Sequence, residues 1–158
     1  MSQNANAAIY FIDRHLGSDV ENKPAFIESD GECRQITYGE LANQTDRLAH
    51  FYERIGVQRE ERAALLLLDR IEFPVAFFGS MKAGVVPVAI NTLLSGELYD
   101  TILRDSRASV LIVSPELLPA VEPYLAENPF LKAVIVAGDS AGNYPNFLSE
   151  LETCEPQK

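Results

Sequence analysis

The chain is poor in cysteine, in histidine and in positive charge, and it has no long apolar run. Its two cysteines, Cys33 and Cys154, stand in unrelated contexts. No metal-ligand spacing accompanies them, and a disulfide framework needs more. They read as incidental thiols of a reducing cytosol. The two histidines, His15 and His50, fall in amphipathic helical stretches without a neighbouring cluster of Cys or carboxylates, and read as helix-surface residues. Lys and Arg number 13 against 23 Asp and Glu, for a net charge of -10. Nucleic acids and anionic membrane surfaces call for clustered cations, so neither is an expected partner. No apolar run is long enough to span a bilayer. The opening residues carry no basic stretch followed by an apolar one, so no secretory signal is read and the expected compartment is the cytoplasm.

What remains is an ordinary globular composition, 47% hydrophobic over 158 residues, enough to bury a core. Residues 6–16 predict a short helix stopped at Gly17. Short strands are expected at 24–28 and 33–36, joined through a turn at Ser29-Asp30-Gly31. Thr37-Tyr38-Gly39-Glu40 fits a capping box, with Ile36 and Leu41 as the apolar staple. The stripe Leu41, Thr45, Leu48, Tyr52 and Ile55 extends that helix to Gly56.

From there the pattern alternates. Strands are expected at 63–68, 85–90, 110–113 and 133–136. Helices are expected at 73–83, from a Ser95 cap to about 106, and from Ser114-Pro115-Glu116, where Pro119 and Pro123 shorten or kink it. Pro87 cannot donate to a ladder and belongs at a strand end, a bulge or an unpaired edge. Alternation of this kind predicts an α/β fold: a mostly parallel sheet flanked by helices, preceded by a short helix and a β-hairpin. Residues 1–137 would form this unit. Residues 138–158, polar and turn-rich with a helical piece near 147–151, would connect onward or fray.

A doubly wound sheet binds ligands at the carboxyl ends of its strands. No glycine-rich phosphate motif follows any strand there, and no nucleophile elbow occurs. The glycines of Gly79-Ser80-Met81-Lys82-Ala83-Gly84 suit close packing and a helix stop better than a phosphate cradle. Glu60-Glu61 reads as a solvated turn, Asp69-Arg70 as a helix-start cap, and Tyr38 and Tyr52 as packing residues with a polar tip. The residues alone therefore nominate no catalytic, cofactor-binding or metal-binding side chain.

Three segments, in order, resemble core motifs of the adenylate-forming superfamily. Ile36-Thr37-Tyr38-Gly39-Glu40-Leu41 is similar to the first. Residues 57–68 resemble a following segment, with Glu60-Glu61 where relatives have Gly-Asp. Met81-Lys82-Ala83-Gly84-Val85-Val86-Pro87-Val88 resembles the second core motif. Ser109-Val110-Leu111-Ile112-Val113-Ser114 matches the strand often found after it. The ending at 85–91 is similar to that of acyl-CoA ligases, and the opening at 6–16 and the run Asn91-Thr92-Leu93-Leu94 are similar to benzoate-CoA ligases and their close aryl relatives. Many CoA ligases have Asn-Pro-Arg where this chain has Asn91-Thr92-Leu93; Arg104 and Arg107 are nearby cations that read as helix surface.

The resemblance implies the N-terminal subdomain of the adenylate-forming fold. It implies ATP, Mg2+ and CoA as co-substrates of a full-length enzyme acting on a small aromatic carboxylate. Family residues for that chemistry come later in the chain, so the resemblance transfers no site residue and implies an inactive fragment. The remainder of the same polypeptide is the expected partner, with self-association through surface left exposed. A scaffold module derived from the fold, or a fragment of a medium-chain fatty acid CoA ligase, are the alternatives.

Overall fold

A computed structural model describes residues 6–29, 31–138 and 142–156. Four parallel strands, β3 (Arg62–Leu66), β4 (Val86–Ala89), β5 (Val110–Val113) and β6 (Ala133–Val136), form one sheet in the order β4-β3-β5-β6. Ala63 pairs with both Pro87 and Val110, and Val110 with Ala133. A separate antiparallel hairpin joins β1 (Pro24–Ile27) to β2 (Gln35–Thr37). The helices are α1 (Ala7–Phe11), α2 (Tyr38–Arg54), α3 (Glu72–Lys82), α4 (Gly96–Ser106), α5 (Leu118–Leu125) and α6 (Phe147–Glu152).

Strand side chains alternate between faces, and each face of this sheet has its own cover. Ala63, Leu65, Val110 and Ile112 share one apolar cluster with Leu41, Leu48, Tyr52, Val75 and Ala76 of α2 and α3. Ala64, Leu66, Leu111 and Val113 share the other with Tyr99 and Leu103 of α4 and Val121 and Leu125 of α5. The near-continuous apolar runs in the sequence are thus strands buried on both sides.

The capping box at α2 is complete: the Glu40 amide donates to Thr37 Oγ1, and Glu40 Oε2 accepts from the Thr37 amide. Gly84 ends α3 with φ +76°, a conformation open to glycine at little cost. Pro87 lies on the sheet's edge strand. The Val86 and Ile90 amides point to β3, donating to the Glu61 and Leu65 carbonyls, so alternation turns residue 87 outward, where a missing donor costs nothing.

Several expected boundaries differ. The stretch 6–16 is not one helix; α1 is capped by Asn6, breaks at Ile12 (φ -117°) and resumes as a 3-10 turn, Asp13–His15. Strand β2 starts at Gln35, because Cys33 takes φ 51°. Asp30 of the expected hairpin turn lies outside the described residues, as do parts of 138–158. Ser95 precedes α4 but makes no side-chain cap bond. Ser114 does not start a helix: its hydroxyl accepts from the Leu68 amide, and α5 begins only at Leu118.

The frayed-end reading of the last residues fails where they are described. Phe147, Leu151 and Cys154 are buried in the core shared with α2. Asn146 caps α6 and forms a parallel bridge with Val136.

Candidate functional site

The strand order reverses between β3 and β5, so the crevice at their carboxyl ends is where this sheet type offers a ligand site. Here the chain lines that crevice with its own polar groups. The Ser114 amide donates to the Leu66 carbonyl at 3.0 Å, and the Leu68 amide donates to Ser114 Oγ at 3.0 Å. Just outside, Arg70 Nη2 meets Glu116 Oε1 at 2.6 Å.

The N-terminus of α3, which would attract an anion, is occupied as well. Asp69, expected as its cap, is exposed, and α3 has no side-chain cap of its own. Instead Glu28 reaches from the hairpin, and its Oε1 accepts from the Ile71 amide at 2.9 Å. Arg34, also on the hairpin, donates to both Glu28 and Glu72 at 2.7–3.1 Å. The Arg34 hydrogen bond, helped by the Ile71 amide, holds the Glu28 carboxyl below its ordinary range despite some opposing desolvation. The same two carboxylates raise the Arg34 guanidinium. A polar cleft of about 370 Å³ lies over this cluster, lined by Glu28, Glu32, Arg34, Arg70, Glu72 and Glu116.

Both arginines in the cleft are therefore committed to carboxylates of this chain. Four acids face them there, which suits no triphosphate. Among the described residues no three His, Cys, Asp or Glu converge as a metal-holding set.

The other residues weighed from the sequence have structural surroundings. Tyr52 is buried, and its hydroxyl pairs with Ser80 Oγ at 2.9 Å between α2 and α3; burial raises its pKa. Tyr38 packs on the His15 ring at 4.4 Å. Lys82 bridges Asp13 and Asp46, both at 2.7 Å, and so ties the N-terminal turns to α2. Arg104 pairs with Asp100, and Arg107 lies over Phe130. His50 is on the helix surface, but its Nδ1 lies 2.8 Å from the Glu155 carbonyl, a long-range contact that local periodicity does not reveal.

The two-stranded hairpin, the capped helix and the parallel sheet follow one another in the order expected from the sequence resemblance. The likeness extends to solved structures: a benzoate CoA ligase from Burkholderia xenovorans LB400 superposes with a TM-score of 0.83 at 35% identity, over 96% of this chain and 29% of that one. The chain belongs to the AMP-binding enzyme family, whose model matches residues 14–155. It is 40% identical over 135 residues to the 4-hydroxybenzoate-CoA/benzoate-CoA ligase of Rhodopseudomonas palustris, covering 85% of this chain and 24% of the relative. It is 41% identical over 134 residues to the benzoate-CoA ligase of Thauera aromatica, covering 84% and 25%. The chain thus spans about a quarter of the length of the curated relatives it matches. Among the described residues no helix is long and apolar enough to cross a membrane.

Proposed function

We propose that this chain is the N-terminal portion of an ATP-dependent aryl-CoA ligase of the benzoate type, and that it builds the platform without performing the chemistry. The observation that carries the reading is its 40–41% identity, over most of its length, to two benzoate-CoA ligases. In the complete enzyme an aryl carboxylate oxygen would attack the α-phosphorus of ATP, with Mg2+ as counter-ion, and pyrophosphate would leave. The CoA thiol, giving up its proton, would then attack the acyl carbon and release AMP, leaving the thioester. The catalytic, ATP, CoA and Mg2+ contacts of that reaction belong to the rest of the polypeptide, and no residue of this chain is assigned to them. Residues 1–137 would form the body of the subdomain, and 138–158, packed on α2 where described, would lead on to the next domain.

The surface supports a platform role. Phe26, Ile27 and Leu93 are exposed, the last at 90%, and Phe26 and Ile27 line a cleft with Ile71, Phe73 and Pro74, rimmed by Glu28, Asp69 and Arg70. Apolar surface of this kind is contact surface. In the complete enzyme the remaining polypeptide would cover it; alone, the chain would self-associate. The acidic net charge supports a protein that binds neither nucleic acid nor an anionic membrane surface, and the compartment proposed for it is the cytoplasm.

The test is an ATP- and CoA-dependent thioester assay of the full reading frame across benzoate, hydroxybenzoates and fatty acids. Aryl thioester and AMP in equal amounts are expected. Thioester from fatty acids alone, or none from any acid, overturns the reading.

A further inference from the structure

We propose that residues 142–156 form a strap that opens from α2 as a unit while the sheet stays folded, and that Arg47 is its latch. This goes beyond the ligase reading and does not depend on it.

The strap's own secondary structure cannot hold it in place. Helix α6 has 6 residues, far too few to persist alone. Its ties to the sheet lie at one end: the Val136 amide donates to the Pro145 carbonyl, and Asn146 Nδ2 donates to the Gly138 carbonyl at 2.6 Å. From the last turn of α6 onward the strap is gripped by side chains of one face of α2. Arg47 Nη1 lies 2.6–3.3 Å from the carbonyls of Leu151, Glu152 and Cys154, while its Nε donates to Asn43 Oδ1, which fixes the guanidinium's direction. A cation there satisfies the open carbonyls of a helix C-terminus and meets its negative dipole end. Arg54 adds bonds to Glu150 and Thr153.

The rest of the attachment is the buried Phe147, Leu151 and Cys154, the partly buried Tyr144 and Leu148, and the contact of His50 Nδ1 with the Glu155 carbonyl. Beside them a cleft of about 500 Å³ runs between α2 and the strap, lined by His50, Arg54, Thr153 and Glu155 as well as Cys154. Few fully buried side chains and, past the single bridge at Val136, side-chain rather than ladder hydrogen bonds mark a segment of low local stability. The four strands, by contrast, are covered on both faces. Opening would therefore stop at the strap.

Cys154 reports the opening, because it is buried in the closed strap, and Cys33 is exposed and removable. In a Cys33→Ser background the single thiol is reacted with an aromatic disulfide reagent across low urea concentrations, and the global unfolding rate is followed by circular dichroism. The expected labelling is at least roughly tenfold faster than global unfolding permits, with a shallower urea dependence. Arg47→Ala should speed it by a further factor of about ten, the scale of a lost charged hydrogen bond, and leave the sheet's cooperative transition in place. If Arg47→Ala does not fold, the urea dependence of the Cys33→Ser protein decides alone. Labelling that follows global unfolding in rate and urea slope overturns the strap, and an unchanged rate in folded Arg47→Ala overturns the latch.

Discussion

Gly79 sits against Leu48 so closely that a Cβ on the glycine would lie 2.7 Å from Leu48 Cδ2 and 3.0 Å from its Cβ. The glycine sets the distance between α2 and α3, the two helices that cover one face of the sheet. A Gly→Ala change inside a helix ordinarily gains stability through propensity. Here the overpacking outweighs the gain, because the Leu48 Cβ cannot move without its helix. Gly79→Ala is expected to lose about 1–2 kcal/mol in urea melts, where an exposed glycine would give a rise.

The capping box gives a second, independent test. Thr37→Ala removes the acceptor for the Glu40 amide and should cost about 1 kcal/mol. Glu40→Ala removes the reciprocal bond alone and should cost less. Equal urea midpoints for Thr37→Ala and the parent chain would mean that the box contributes nothing.

Glu60 occupies φ +66°, at the position where the adenylate-forming motif resembled by residues 57–68 has glycine. A left-handed conformation costs a side-chain-bearing residue about 1–2 kcal/mol, and the greater freedom of unfolded glycine returns part of that. Glu60→Gly should therefore raise stability by about 0.5–1 kcal/mol, visible as a higher melting temperature with an unchanged far-ultraviolet spectrum.

The Glu28 carboxylate at the start of α3 predicts an acid-sensitive contribution. Its folded pKa is lowered from an ordinary 4.5 by Arg34 and the Ile71 amide. The stabilisation it provides is complete above the unfolded value and is lost as the pH falls through the folded one. Glu28→Gln should cost about 1–2 kcal/mol at pH 7, and the gap from the parent chain should close as the pH drops below 4.5. A gap that stays constant across that range would show that the charge on Glu28 does not matter.

Most of this architecture was legible from local signals. The box at Thr37 and Glu40, the stop at Gly84, the outward Pro87 and the doubly buried strands all follow from neighbours within a few residues, and the structure has them where the periodicity placed them. What was not legible depends on partners far along the chain. Ser114 followed by Pro115 looks like a helix start until the Leu68 amide, 46 residues away, takes the hydroxyl. Asp69 looks like a cap until Glu28, 43 residues before Ile71, arrives from the hairpin. The last residues look frayed because the arginines that hold them are on α2. The lining of the crevice was not legible either: that internal carboxylates and a serine converge there needed the fold.

The central claim, that this chain is a platform without its own nucleotide or acyl site, is tested most directly by calorimetry of the chain ending at Lys158 with ATP-Mg2+ and with benzoate, both at millimolar concentration. A triphosphate needs converging amides and free cations, and the arginines over the crevice are committed to Glu28, Glu72 and Glu116. No saturable heat is expected with either ligand. A saturable isotherm with ATP-Mg2+ or with benzoate would contradict the claim and make the chain a binding module in its own right.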